Sequence, residues 1–159
     1  MQQRLLGRTG LRVSRLALGT MTWGRDTDEH EASELLDLFL GEGGTLVDTA
    51  DVYADGESEK ILGRLLVDSG RRDAVVLATK AVSRPTTQRR FDASRGHLLN
   101  SLDGSLRRLG VDHVDLWQLH AWDPLTPIEE TLAAVDHAVT SGKVRYVGVS
   151  NYAGWQTAH

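Results

Sequence analysis

Hydrophobic residues in this chain alternate between short continuous runs and stripes with helical spacing. The short runs, rich in apolar and β-branched residues, cover residues 15–19, 45–49, 74–79, 113–119 and 144–150. Four of the five are nearly continuous in apolar residues, as is typical of parallel strands buried on both faces. They recur about every 30 residues, the length of one βαβ unit. We therefore predict five parallel strands.

The segments between these runs carry apolar residues at helical intervals. The stripes are Ala32, Leu35, Leu36, Phe39 and Leu40 in the first segment, Leu98, Leu102, Leu106 and Leu109 in the third, and Ile128, Leu132, Val135 and Val139 in the fourth. The second segment is predicted to be helical over about Glu57–Val67. Alternating Leu and Val residues around Gly7 and Gly10 predict a hairpin over residues 1–14. The predicted order is a hairpin, then β-α-β-α-β-α-β-α-β.

Residues that favour helix ends lie at the expected places. Asp28 with Glu31 resembles a capping box for the first helix. Asp92 can cap the third helix, and Thr126 is a candidate cap for the fourth, with Pro127 at its first position. Glycines that end helices in the left-handed conformation are expected at Gly41, Gly70, Gly110 and Gly142.

Two architectures accept this order of elements, an open doubly wound sheet and a (β/α)8 barrel. The first strand–helix loop, residues 19–24, does not fit the Gly-x-Gly-x-x-Gly pattern of dinucleotide-binding folds, which favours the barrel. A complete barrel needs about 250 residues, whereas the chain has 159. We therefore expect the N-terminal part of a single barrel domain over 1–159, with a hairpin cap at 1–14 and strands 1 to 5 with their helices at 15–159. Either the remainder of the barrel or a partner chain must cover the open sheet edges.

Composition narrows the classes of function. The chain has a net charge of −4 and no cysteine, which argues against a nucleic-acid surface and excludes disulfides and thiolate metal sites. The longest apolar run, residues 74–78, is far shorter than a membrane span of about 20 residues. No secretory hydrophobic segment is recognisable, so we expect a cytoplasmic protein without membrane partners.

Polar side chains cluster at the predicted carboxyl ends of the strands, where barrels carry their chemistry. These are Asp48 with Tyr53, Lys80, His120, and Ser150 with Asn151. Each alone could cap a turn, pack or reach solvent, but their coincidence at successive strand ends favours a site. A lysine beside a tyrosine favours the phenolate, and a carboxylate keeps that lysine charged and oriented. Such a set could protonate a carbonyl oxygen while a cofactor delivers a hydride to the carbon.

The motifs at residues 47–53, 78–80, 115–120 and 142–151 resemble the signatures of the aldo-keto reductases. The resemblance runs through nearly the whole chain and implies an NADPH-dependent reductase of aldehydes or ketones on a (β/α)8 barrel. It implies that Tyr53 is the general acid, that Lys80 and Asp48 tune it, and that His120 orients the small-molecule carbonyl substrate. No metal site is implied.

The resemblance also implies the positions of cofactor and substrate. Ser150 and Asn151 would hold the nicotinamide carboxamide, and Gly19, Thr20 and Asp48 would lie against the cofactor. Trp23 and Trp122 would form walls of the substrate pocket. A second function stays open, namely a non-catalytic half-barrel or reductase-like regulatory subunit that binds a partner.

We expect residues 1–159 alone to bind NADPH weakly or not at all. In barrels, phosphate sites lie in the loops after strands 7 and 8, which lie beyond the five predicted strands. Isothermal titration calorimetry of the 159-residue polypeptide tests this expectation. Tight, saturable binding of NADPH would contradict it.

Overall fold

Within residues 1–158, which the computed structural model describes, five parallel strands form one sheet in chain order. They are β3 (Ala17–Gly19), β4 (Leu46–Asp48), β5 (Val76–Ala81), β6 (Val114–Leu119) and β7 (Val144–Val149). Each strand lies inside a predicted run or within two residues of its end. Because every one of these pairings is parallel, the carboxyl ends of all five strands lie at one end of the sheet.

Helices connect consecutive strands, as the periodicity predicts. They are α1 (Glu29–Gly41), α2 (Glu57–Val67), α3 (Arg95–Leu109) and α4 (Ile128–Thr140), and a short helix α5 (Gly154–Ala158) follows β7. The strands β1 (Gln3–Leu5) and β2 (Arg12–Ser14) form the predicted antiparallel hairpin. The Ser14 hydroxyl accepts hydrogen bonds from the backbone N–H groups of Thr45 and Leu46, so the hairpin is fixed to the start of β4.

The start of α1 confirms its predicted capping box. Asp28 Oδ1 accepts from the Glu31 N–H at 2.9 Å, and Glu31 Oε2 accepts from the Asp28 N–H at 3.4 Å. The predicted caps of α3 and α4 are wrong. The capping position of α3 is Ser94 and that of α4 is Pro127, and neither makes a side-chain cap.

Tertiary hydrogen bonds explain these two differences. The hydroxyl of Thr126 donates to Asp123 at 2.6 Å rather than capping α4. Asp92 accepts from the Ser94 N–H and forms an ion pair with Arg84, so it braces the loop before α3 instead of the helix itself. Polar side chains that suit a helix start are thus used to join neighbouring loops.

The core lies between the sheet and the helices. The stripe on α3 is buried as predicted. On α4 the predicted stripe is wrong in part, because Leu132 and Val139 are 55% and 39% exposed. The buried face of α4 consists instead of Thr131, Ala134, Val135 and Ala138. Two alanines and two medium-sized side chains thus form the packed face of α4, while Leu132 and Val139 point away from it.

A close contact between α2 and the end of α3 requires glycine at position 63. A Cβ atom on Gly63 would lie 2.6 Å from the carbonyl oxygen of Leu109 and 2.8 Å from that of Arg108. Both contacts are with backbone atoms, which cannot rotate away as a side chain can. The contact fixes how closely α2 approaches α3.

We expect Gly63→Ala to lower the free energy of unfolding by about 1–3 kcal/mol, the usual cost of overpacking. Urea unfolding followed by circular dichroism measures this. Gly96→Ala in α3 is the matched control, because no described atom beyond its chain neighbours and the backbone of its own helix lies within 4 Å of the added Cβ. Equal stability of the two variants would contradict the prediction.

Candidate active site

The ammonium group of Lys80 joins side chains from two neighbouring strands. Its Nζ donates to Asp48 Oδ2 at 2.6 Å and to Tyr53 Oη at 3.2 Å. A third bond at 2.9 Å goes to the carbonyl oxygen of Thr49. Asp48 ends β4, Lys80 lies near the end of β5, and Tyr53 begins the turn after β4. The parallel pairing of β4 with β5 therefore brings all three together.

Burial gives these bonds their strength. Lys80 is only 6% exposed, and a buried charge is costly unless it is paired and hydrogen-bonded. A lysine has three N–H donors, and the three acceptors on Asp48, Thr49 and Tyr53 match that number. Because Tyr53 Oη accepts from Lys80, its own proton can be donated to another acceptor.

His120 lies on the other side of Tyr53. The two rings make an edge-to-face contact, with centroids 5.8 Å apart and an angle of 78°. Burial and the positive charge of Lys80 lower the pKa of His120, while Asp48 opposes the shift. The imidazole is therefore neutral at pH 7. Its buried Nδ1 has no hydrogen-bond partner among the described residues.

Gln118 belongs to the site although the sequence analysis did not select it. Its Nε2 donates to Asp48 Oδ1 at 3.1 Å, so both carboxylate oxygens of Asp48 are bonded. Gln118 lies opposite Lys80 in the pairing of β5 with β6. Its position two residues before His120, on the same face of the strand, was the signal available in the sequence.

Ser150 and Asn151 follow β7 and lie against His120. Asn151 Nδ2 donates to the carbonyl oxygen of His120 at 2.8 Å and to Ser150 Oγ at 3.1 Å. Asn151 has a φ of 57°, the left-handed conformation that Asn tolerates better than most residues. The asparagine thereby ties the segment after β7 to the end of β6.

The face of the sheet away from the helices borders an open space of about 420 Å³, which is lined in large part by apolar side chains. In a closed barrel the corresponding face is covered by packed side chains. Gly19, Asp48, Lys80, Gln118 and Ser150 contribute to its lining. Apart from Gly19 and its two chain neighbours, no described atom lies within 4 Å of the position a Cβ would take on Gly19, so a flat group can approach the backbone there.

Two of the predicted site residues are buried away from this open space. Thr20 is fully buried, and its hydroxyl bonds to Ser58 Oγ at 2.8 Å and to the Asp48 carbonyl at 3.3 Å. Trp23 is 1% exposed and packs in the hydrophobic core. Thr20 thus contacts the end of β4, and the side chain of Trp23 lies in the hydrophobic core.

Trp122 lies in an aromatic cluster beyond His120. Its ring contacts Tyr152 at a centroid distance of 5.4 Å and Trp155 at 6.0 Å, both edge to face. Trp155 is 67% exposed. The cluster therefore offers aromatic surface close to the segment that carries Asn151.

Two further features are absent from the part of the chain that the structure describes. No helix there is long and apolar enough to cross a bilayer. Nor do three or more His, Asp or Glu side chains come together as metal ligands.

Residues 15–159 match the model of the Aldo/keto reductase family. An uncharacterized oxidoreductase, YrpG, of Bacillus subtilis is 43% identical over 98% of this chain and 51% of its own length. A probable voltage-gated potassium channel subunit beta of Oryza sativa is 39% identical over 98% and 48%. The chain spans about half the length of these curated relatives.

A solved structure resembles this one closely. The aldo-keto reductase AKR11C1 from Bacillus halodurans, in its holo form, superposes with a TM-score of 0.85 and 38% identity over 95% of this chain and 50% of that one. The predicted fold class is thus confirmed. The hairpin and five strands with their helices are part of a (β/α)8 barrel.

The charges around His120 make its titration a test of the geometry. We expect Lys80→Met to raise the pKa of His120, because it removes the neighbouring positive charge, and Asp48→Asn to lower it further. Histidine resonances followed by NMR over pH 4 to 9, roughly the range of histidine titration, give the midpoints. A His120 pKa that is lower in Lys80→Met than in Asp48→Asn would contradict the arrangement of these three side chains.

Proposed function

The chain belongs to the aldo/keto reductase family, and on that premise we propose that it carries the proton-transfer site of an NADPH-dependent carbonyl reductase. The supporting observation is the double contact of Lys80 Nζ with Asp48 at 2.6 Å and Tyr53 at 3.2 Å. A buried ammonium between a carboxylate and a phenol suits the release of a proton from that phenol. Its substrates would be aldehydes and ketones.

In this proposal Tyr53 is the general acid. The nicotinamide cofactor, when bound, supplies the hydride that reduces the carbonyl carbon. Tyr53 donates its proton to the carbonyl oxygen as negative charge develops there, and Lys80 stabilises the phenolate that remains. Asp48, itself held by Gln118, keeps the ammonium charged and in place.

His120 orients the carbonyl group. Its lowered pKa keeps the imidazole neutral at pH 7, and a neutral imidazole can donate a hydrogen bond without adding a competing acid. The edge-to-face contact with Tyr53 places the imidazole beside the phenol. Substrate oxygen would then lie between the two side chains.

We propose further that Ser150 and Asn151 hold the nicotinamide carboxamide, and that Gly19 and Asp48 lie beside the ring. The lining of the open space by Gly19, Asp48 and Ser150 supports this. Thr20 would act through its bond to the end of β4. The preference for NADPH and the cytoplasmic location stay predictions, as does the domain division at residue 14.

For the substrate, the exposed aromatic cluster supports Trp122 as a pocket wall. The role of Trp23 as a second wall stays a prediction. In residues 1–158 its ring is buried in the core. Small carbonyl compounds with flat apolar surfaces would suit such a wall.

A regulatory binding module is the second candidate. The similarity to a probable potassium channel subunit favours it. In residues 1–158, β3 and β7 lie at the edges of the sheet, and Val147 and Val149 on β7 are 46% and 44% exposed. The remainder of a barrel or a partner chain would cover those edges.

We expect Tyr53→Phe to lower kcat by about 10²–10⁴-fold in the full-length gene product, because the general acid is lost. Oxidation of NADPH with a panel of aldehydes, ketones and quinones measures this. Tyr146→Phe, on β7, is the control for loss of a tyrosine hydroxyl. A wild-type protein inactive on the whole panel would favour the module, and an active Tyr53→Phe variant would exclude Tyr53 as the acid.

A further inference from the structure

A second ion pair lies behind the site, on the helix side of β5. Glu59 of α2 is fully buried, and its Oε2 accepts from Arg108 Nε of α3 at 2.7 Å. Its Oε1 accepts from the hydroxyl of Thr79 at 2.6 Å. Thr79 immediately precedes Lys80, and successive residues of a strand point to opposite faces. The Glu59–Arg108 pair is therefore anchored to the strand that carries Lys80.

The same pair supports the turn that carries Tyr53. The turn Tyr53–Gly56 contains three consecutive residues in the left-handed region, Ala54 (φ 48°), Asp55 (φ 53°) and Gly56 (φ 87°). Such a conformation is unfavourable for Ala and Asp and persists only where surrounding contacts impose it. A Cβ on Gly56 would lie 2.7 Å from Arg108 Cδ, so the arginine stem packs directly against the turn.

Asp51 adds a second acid to this region. Burial and the charge of Glu59 raise the pKa of Asp51 to about 7, and Arg108 opposes the shift. Its Oδ1 is buried without a hydrogen-bond partner in residues 1–158. One arginine thus faces two acids. A buried ion pair often adds little net stability, because the cost of desolvating the charges offsets their attraction. Stability alone therefore does not explain why these charges are buried here.

We propose that the Glu59–Arg108 pair is a positioning device that holds Tyr53 Oη at hydrogen-bond distance from Lys80 Nζ. Glu59 fixes β5 through Thr79, and Arg108 fixes the left-handed turn through its contact with Gly56. Neither side chain touches the reacting atoms, so both act through Tyr53. The expected effect of the pair on turnover rests on the proposed function. Its expected effect on the Tyr53–Lys80 hydrogen bond does not.

NMR of full-length protein labelled with ¹³Cζ-tyrosine tests the geometry without any turnover. The resonance that disappears in Tyr53→Phe belongs to Tyr53, and its position in Lys80→Met marks the loss of the hydrogen bond. We expect Glu59→Gln and Arg108→Met to move the Tyr53 resonance towards the Lys80→Met position. Thr79→Val, a milder change, should move it less in the same direction.

Two neighbours provide matched controls. Glu57→Gln removes a carboxylate from the same helix, where Glu57 pairs with Lys60 near the surface. Arg107→Met removes an exposed arginine next to Arg108. We expect both to leave the Tyr53 resonance unchanged. Circular dichroism at matched temperature identifies the variants that are folded.

Kinetics separate positioning from a purely structural role. If Tyr53 is misplaced in a folded enzyme, kcat falls by about tenfold or more while KM changes little. A Tyr53 resonance at the wild-type position in folded Glu59→Gln, Arg108→Met and Thr79→Val would overturn the proposal. Absence of turnover in the wild-type protein would overturn the proposed function instead. The NMR result would still decide whether the Glu59–Arg108 pair positions Tyr53.

Discussion

A buried ammonium group sets the main constraint on this structure. Lys80 has its three donors matched to a carboxylate, a phenol and a backbone carbonyl, all supplied by the segment from Asp48 to Tyr53. An unpaired charge at that depth would be strongly unfavourable. The pairing of β4 with β5 and the turn after β4 are therefore tied to one another through a single nitrogen atom, and the amide of Gln118 joins them through Asp48.

An ion pair lies on each side of the sheet. Lys80 and Asp48 lie on the open face, while Glu59 and Arg108 lie under the helices. The Glu59–Arg108 pair also lies next to a close contact between α2 and α3, where a Cβ on Gly63 would meet the backbone of Arg108 and Leu109. Helix packing and the position of Tyr53 are thus parts of one arrangement.

Local pattern predicted the strands and the helices, because buried parallel strands and helical stripes leave strong periodic signals. The strand positions in turn put Asp48, Lys80 and His120 at the same end of the sheet. The predictions failed where contacts between separate elements determine which side chain caps a helix or is buried. Thr126 looked like a cap but bonds to Asp123, and Leu132 looked buried but faces outward. Glu59 and Arg108 are separated by 49 residues, and such a pair leaves no periodic trace in one sequence.

The chain-order sheet has a consequence for biosynthesis. Each strand of the sheet lies next to the strand that precedes it in the chain, so the sheet can grow by addition at one edge while the polypeptide leaves the ribosome. Asp48, Tyr53, Lys80 and His120 all come from β4 to the end of β6. These four side chains can meet before β7 has been translated.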